Sequence, residues 1–320
     1  MRDRLPTISP RTYARVSLVA LAALALIVLT GAAVRLTGSG LGCPDWPKCY
    51  GQAVAPLETH AIIEYSNRLL SGLVGLAAVA AGVLAFRRRP FRRDLAILGV
   101  LLPLGVVCQA VLGGFTVRNH LAPGFVMGHF GLSMLILVAA VALAWRANHE
   151  PGWRPRSTDR VAVWSVRALL PLGAITIFAG TAATAAGPHA GGRPHERIHR
   201  LDFYGSDTLN WAVHQHGTIA AIFGVAAVFV FLLLRRRGAD PHVRRAISAT
   251  VALLAVQGAV GAIQFALELP AEIVWVHVAL ACATWLAVLW ATAAAGRLVP
   301  REATEPSEPA ADPDRALAAR

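Results

Sequence analysis

Runs of twenty or so apolar residues recur along this chain, and that recurrence limits the fold before any motif is considered. About twenty residues of helix, rising about 1.5 Å each, are what the hydrocarbon core of a bilayer requires. Eight such runs lie at about 16–36, 62–86, 94–116, 124–145, 162–185, 211–234, 245–267 and 272–296. With 56% hydrophobic and 15% charged residues and a mean hydropathy of +0.54, the chain is not a soluble globular protein. The first run follows Arg2, Arg4, Arg11 and Arg15, as a signal peptide would. It is too long for a signal core and continues into GAAVRLTG without a small-x-small cleavage site, so it is expected to be a retained span.

A net charge of +12 raises the question of nucleic acid. The basic residues sit between apolar runs rather than on one face, so the pattern sets membrane orientation instead. Arg87–Arg93, the group Arg146, Arg154, Arg156 and Arg160, and the group Arg235, Arg236, Arg237, Arg244 and Arg245 fall on one side, with both termini. That side is expected to be the cytoplasm, in a multi-pass protein of the cell membrane. Residues 1–15 form a cytoplasmic N-terminus, 146–161 a cytoplasmic linker and 297–320 a disordered cytoplasmic tail.

The opposite loops, about 37–61, 117–123, 186–210 and 268–271, carry the distinctive residues. Cys43 and Cys49 lie in CPDWPKC, and on an oxidising outer surface so close a pair can form a disulfide. Cys108 and Cys282 fall inside spans, as small packing residues would. The third loop, GPHAGGRPHERIHR, is rich in histidine but holds no thiolate, which argues against structural zinc.

In HAIIEYSNRLL (60–70), Glu64 is the one acid inside an apolar, span-like segment. Such a group costs about 2.5–3.5 kcal/mol on insertion scales and marks a functional site by default. Asn67 and Arg68 share its helix face, three and four residues on. The plainer reading is an interfacial carboxylate held by Arg68.

The chain also repeats itself. CQAVLGGF (108–115) matches VQGAVGAI (256–263), aligning Gln109 with Gln257, and a histidine follows each twenty residues later, His129 and His277. WAVHQHGTIAAIFG (211–224) lies over IIEYSNRLLSGLVG (62–75), setting His216 opposite Asn67 and Val213 opposite Glu64. Gly31 and Gly38 echo Gly180 and Gly187. The expected fold is an all-α polytopic membrane protein of eight transmembrane helices in two pseudo-symmetric four-helix bundles, 16–145 and 162–296.

Asn67, His129, His216 and His277 each fall about five residues inside the outer end of a span, roughly 8 Å deep. His216 and His277, at matched depth on separate helices of one bundle, suit the two axial positions of a heme iron. His214 points about 200° away from His216 around the helix. The glycines leave room for a planar group or for close helix packing, and the sequence does not separate these. One bundle thus has two histidines and no acid, suited to electron transfer. The other has one histidine, an asparagine and a carboxylate, suited to chemistry on something bound.

GAAVRLTGSGLGCPDWPKCYG (31–51), IEYSNR, QAVLGGFTVRNHLAPGFVMGH (109–129), AGPHAGG and the histidine after LELP resemble the heme A synthase family of bacterial and mitochondrial membranes. The resemblance covers nearly all of 16–296. It implies oxidation of the C8 methyl of heme O to a formyl group by successive hydroxylations, with water as oxygen source, for cytochrome oxidase. It implies heme b held by His216 and His277 in the C-terminal bundle, and heme O as substrate on His129 in the N-terminal one. Glu64 matches the family's catalytic glutamate, suited to removing a proton or stabilising a cationic centre. Cys43 and Cys49 match a first-loop pair, either a disulfide or an electron-relaying dithiol. Arg35, Arg68 and Arg118 are candidates for heme propionates, with interface snorkelling as the alternative. Expected partners are heme O synthase (protoheme farnesyltransferase), cytochrome oxidase assembly factors and the bilayer; a homo-oligomer is compatible, nucleic acid is not.

Two departures stand out. Many members have histidine where this chain has Asn67, with His60 only a distant substitute, and the third loop lacks a second cysteine pair. A non-enzymatic di-heme cytochrome explains the histidines equally well but leaves Glu64 idle. A repeat-built transporter lacks the broken helices it needs.

Overall fold

The computed structural model describes residues 6–149, 159–193, 196 and 198–295. The tail at 297–320 and most of the linker therefore lie outside the described residues. Eight helices are long and apolar enough to cross a membrane: α1 (Pro10–Leu36), α2 (Thr59–Arg87), α3 (Arg93–Arg118), α4 (Pro123–Asn148), α5 (Arg160–Ala186), α6 (Thr208–Arg236), α7 (Pro241–Ala266) and α8 (Ala271–Ala295). The protein is all-helical and multi-pass, as the apolar runs require. Several helices start earlier than the apolar runs. Ser9 caps α1 by accepting from Thr12 N–H at 3.1 Å, and Pro10 supplies a first-turn residue needing no backbone donor.

Helices α1 to α4 form one ring, each packed on its two neighbours, and α5 to α8 form another. Among the described residues no diagonal pair packs along its length. Consecutive helices run antiparallel, over connections as short as 119–122 and as long as 37–58, and one end of the molecule gathers the arginine-rich turns while the other gathers the cysteine loop.

Small residues let the first ring close at the arginine end. Pro103, inside α3, cannot donate to the carbonyl of Gly99 one turn back. Gly82 on α2 fills the place beside it, where an added Cβ would stand 3.0 Å from Gly99 O. Buried Tyr13 of α1 completes the junction, its hydroxyl donating to Ala81 O at 3.1 Å.

Helix α8 is apolar all round and touches both rings, packing on α1, α4, α5 and α7. Two tryptophans fasten it across the boundary: Trp285 Nε1 donates to Met134 O at 3.1 Å and Trp275 Nε1 to Leu29 O at 3.0 Å. A core of buried Leu, Ile, Val and Ala runs through α1 to α4 and reaches Trp285 and Leu289.

The turn before α4 and the turn before α8 have the same unusual backbone. His120 and Leu121 have φ of 50° and 56°, and Glu268 and Leu269 have φ of 62° and 64°. Left-handed backbone without glycine costs about 1–3 kcal/mol per residue. Leu121 N–H returns to Thr116 O at 2.9 Å and Leu269 N–H to Gln264 O at 2.7 Å, capping orphan carbonyls of α3 and α7.

One expectation fails. Cys282 is buried as a packing residue should be, but Cys108 is exposed on α3, on a face that the ring does not cover.

Candidate functional site

Cys43 and Cys49 are joined in a disulfide, and both are fully buried. Their loop folds back onto the start of α2. Glu64, 6% exposed, receives Cys43 N–H on Oε2 at 2.7 Å and Arg68 on Oε1 at 2.5 Å. The other terminal N–H groups of Arg68 go to Cys43 O (3.1 Å), Asp45 O (3.0 Å) and Lys48 O (2.9 Å). Four bonds use all four terminal hydrogens of the guanidinium, so only Nε–H remains for a propionate.

Asp45 closes the turn by accepting from Tyr50 N–H at 2.6 Å and Gly51 N–H at 2.8 Å. The Gly51 bond, then the one from Tyr50, holds its carboxyl below the usual carboxylate range against some desolvation. Trp46 lies over α3, where a Cβ on Gly114 would stand 3.0 Å from the indole, and Arg118 donates to Trp46 O at 3.3 Å. His60 pairs with Ser39 Oγ at 2.9 Å and belongs to this loop.

A second layer crosses the ring boundary. Gly40 N–H donates to Gly191 O at 2.8 Å, Arg35 to His189 O at 2.6 Å, and His189 Nε2 to Leu269 O at 2.7 Å. The segment after α5 is thus a strap tying the cysteine loop and α1 to the turn before α8. Among the described residues no group of three or more His, Cys, Asp or Glu could hold a metal ion.

Below the loops lie the histidines. His129 and His277 each fall six residues into their helices, and Asn67 and His216 eight, roughly 9 and 12 Å along the axis. Each histidine ring rests on a glycine: an added Cβ would stand 3.3 Å from His129 Cε1 at Gly113, 3.0 Å from His216 Cε1 at Gly180 and 3.1 Å from His277 Cε1 at Gly261. Gly31, aligned with Gly180 in the sequence, has nothing within 4 Å. The matching ring is absent because Asn67 stands there.

The His216 and His277 rings lie 6.2 Å apart, centre to centre, at 77°. Metal–imidazole bonds of about 2.0–2.1 Å on both sides of one atom would place the ring centres roughly 6 Å apart. His216 Nδ1 donates to Thr176 O at 3.1 Å, which leaves Nε2 as the lone-pair nitrogen. His277 Nδ1 and His129 Nδ1 are buried without partners, as is Asn67 Oδ1. These donors fit a flat group ligated at its centre. His214 turns aside to donate to Asn210 O at 2.7 Å, as its angle on the helix requires.

Of the expected site residues, the structure brings Glu64, Arg68 and the disulfide into one cluster and His216 and His277 into one pair. Arg35 and Arg118 hold loop carbonyls. Sequence reasoning missed the use of Arg68 as a clamp on three loop carbonyls, for which the sequence carries no signal beyond its place one turn past Glu64.

Fold and site together define a multi-pass helical membrane protein whose bundles carry histidines seated on glycines. A family model described as cytochrome oxidase assembly protein (COX15-CtaA) matches residues 14–289, and the chain belongs to that family. It is 32% identical over 276 residues to a protoheme IX farnesyltransferase of Thermus thermophilus, covering 82% of this chain and 45% of that protein. It is 34% identical over 122 residues to a heme A synthase of Alkalihalophilus pseudofirmus, covering 37% of this chain and 40% of that protein. It is 30% identical over 173 residues to a heme A synthase of Shewanella oneidensis, covering 48% and 49%. The chain spans about half the length, or less, of each of these relatives.

Proposed function

We propose that the protein is a heme A synthase, converting the C8 methyl of heme O to a formyl group with oxygen drawn from water. The observation that carries this reading is the His216–His277 pair, 6.2 Å apart between two helices of one bundle, in a chain of this family. Those two residues would hold heme b, which supplies one-electron chemistry when bound. His129, on its Gly113 seat, would hold the substrate heme, and the buried, unpartnered Asn67 Oδ1 is a further candidate to hold it.

Glu64 is the group for proton work. Arg68 and Cys43 N–H orient its carboxylate, which can take a proton or oppose positive charge developing at the methyl. Arg35 and Arg118 remain candidates for propionates through N–H groups not yet used. One observation favours a second reading of Glu64 itself: one of its oxygens holds the cysteine loop directly and the other holds Arg68, which clamps the same loop, as a purely structural group would. Its variants separate the two roles, as argued in the Discussion.

By the positive-inside rule the arginine end faces the cytoplasm of the cell membrane and the disulfide end the oxidising side. The N-terminal bundle is then the substrate domain and the C-terminal bundle the electron-transfer domain. A protoheme farnesyltransferase is the natural neighbour, since it makes heme O, and similarity over 276 residues to a protein of that name supports the association. The deciding experiment is acid-acetone extraction of the purified protein's hemes and their identification by mass, with and without co-expressed farnesyltransferase. Heme b together with heme O or heme A is expected. Heme b alone under every condition would favour the electron-carrying cytochrome.

A further inference from the structure

Two glutamines take no part in the site as described so far, yet both reach it. Gln109 Nε2 donates to His129 O at 2.9 Å and to Ser133 Oγ at 2.5 Å, and Gln257 Nε2 donates to His277 O at 3.0 Å. A backbone carbonyl only accepts, so each bond fixes the amide with nitrogen toward the histidine's main chain and oxygen turned away. Gln109 Oε1 and Gln257 Oε1 are buried and have no partner. The same holds for His129 Nδ1 and His277 Nδ1. Two acceptors and two donors are thus orphaned in matched pairs, one pair in each bundle.

Placement brings the members of each pair together. Gly113 lies one turn beyond Gln109 on the same face of α3, and a Cβ there would stand 3.8 Å from His129 Nδ1. Gly261 stands one turn beyond Gln257, and a Cβ there would be 3.5 Å from His277 Nδ1. Each ring nitrogen therefore sits within about one helical turn of the glutamine that grips the same histidine's carbonyl. Leaving a buried donor and acceptor both unpaired costs about 1–3 kcal/mol each, and one buried water with polar partners on both sides removes that cost. A histidine that ligates through Nε2 also needs an acceptor for Nδ1–H to fix its tautomer. His216 has Thr176 O for this purpose. His129 and His277 have no such carbonyl.

We propose that Gln109 and Gln257 are positioning residues that, each through one water, accept the Nδ1–H of His129 and His277 and so set how strongly each imidazole donates to the heme it binds. This inference rests on the heme reading above. Sequence supports it independently, because the interval from Gln109 to His129 equals that from Gln257 to His277.

The test uses full-length detergent-purified protein carrying heme b, with Gln257→Leu and Gln257→Glu compared against the parent. Midpoint potential is read by redox titration and ligand field by the g-values of the oxidised low-spin heme. A stronger acceptor should draw His277 toward imidazolate, lowering the potential and narrowing the g-spread in Gln257→Glu. Gln257→Leu should raise the potential without narrowing the spread. A role limited to clamping the helices would move both variants the same way, or neither, and would overturn the proposal. Should Gln257→Leu fail to hold heme, Gln257→Glu decides alone, and an unchanged g-spread counts against the inference. A parent protein that binds no low-spin heme would overturn the underlying reading as well, and so is distinguishable from a failure of the glutamine role alone.

Discussion

Glu64 and Cys43 are joined by a 2.7 Å hydrogen bond in which the main-chain amide of one disulfide cysteine donates to a buried carboxylate. The carboxylate proposed for proton transfer is therefore aimed by the cysteine loop, and Arg68 holds both from the same helix.

Glu64→Gln keeps an oxygen for Cys43 N–H but loses the charge, while Glu64→Ala loses both. For a proton-transferring carboxylate both variants should abolish conversion of heme O to heme A while the low-spin heme spectrum persists. The rate loss expected for one general base is about 10²–10⁴-fold. Normal heme A production by Glu64→Gln, in cells lacking another synthase, would leave Glu64 only its structural part.

Asp45 should make the cysteine loop sensitive to acid. Its carboxyl lies below the usual range because the folded turn favours the charged form. The stabilisation is then present above the unfolded value of about 3.9 and lost as pH falls through the lower folded value. Reduction of the disulfide by a phosphine should keep one rate from neutral pH down to about pH 4 and quicken only below. Asp45→Asn should be fast throughout, and a parent rate that rises already at pH 6 would contradict the assignment.

The glycine seats differ in what they tolerate. Gly180→Ala and Gly261→Ala place a methyl about 3 Å from a histidine ring, and such overpacking costs about 1–3 kcal/mol. Heme b occupancy should drop roughly tenfold in either, and His277→Ala should lose the signal outright. Gly31→Ala meets nothing within 4 Å and should bind as the parent does. Equal spectra for Gly180→Ala and Gly31→Ala would reject the seating argument.

Asn67→His should fill the space open at Gly31, as His216 fills the one at Gly180. More substrate heme should then copurify, raising the total heme per protein measured by pyridine hemochrome. An unchanged stoichiometry would show that position 67 does not face the substrate.

The helices and the histidines were legible because they depend on local pattern: apolar length, and a repeat that sets Gln109 over Gln257 and Asn67 over His216. The exposed Cys108 was not, since an apolar residue inside a span gives no sign of whether ring or lipid will surround it. Nor was the Arg68 clamp, because three of its four acceptors are backbone carbonyls, which carry no side-chain signature. The same is true of the strap, whose bonds end on the backbone carbonyls of Gly191, His189 and Leu269, far in sequence from their donors Gly40, Arg35 and His189. The left-handed His120–Leu121 and Glu268–Leu269 turns were hidden for a related reason: no glycine announces them.

The strap and the two tryptophan bonds pin the boundary between the rings at several heights, from the loops down to Trp285. Those bonds oppose a hinge between the two rings. If both interiors hold heme as proposed, electron exchange between them should be indifferent to solvent viscosity and follow only the driving force and the material in between.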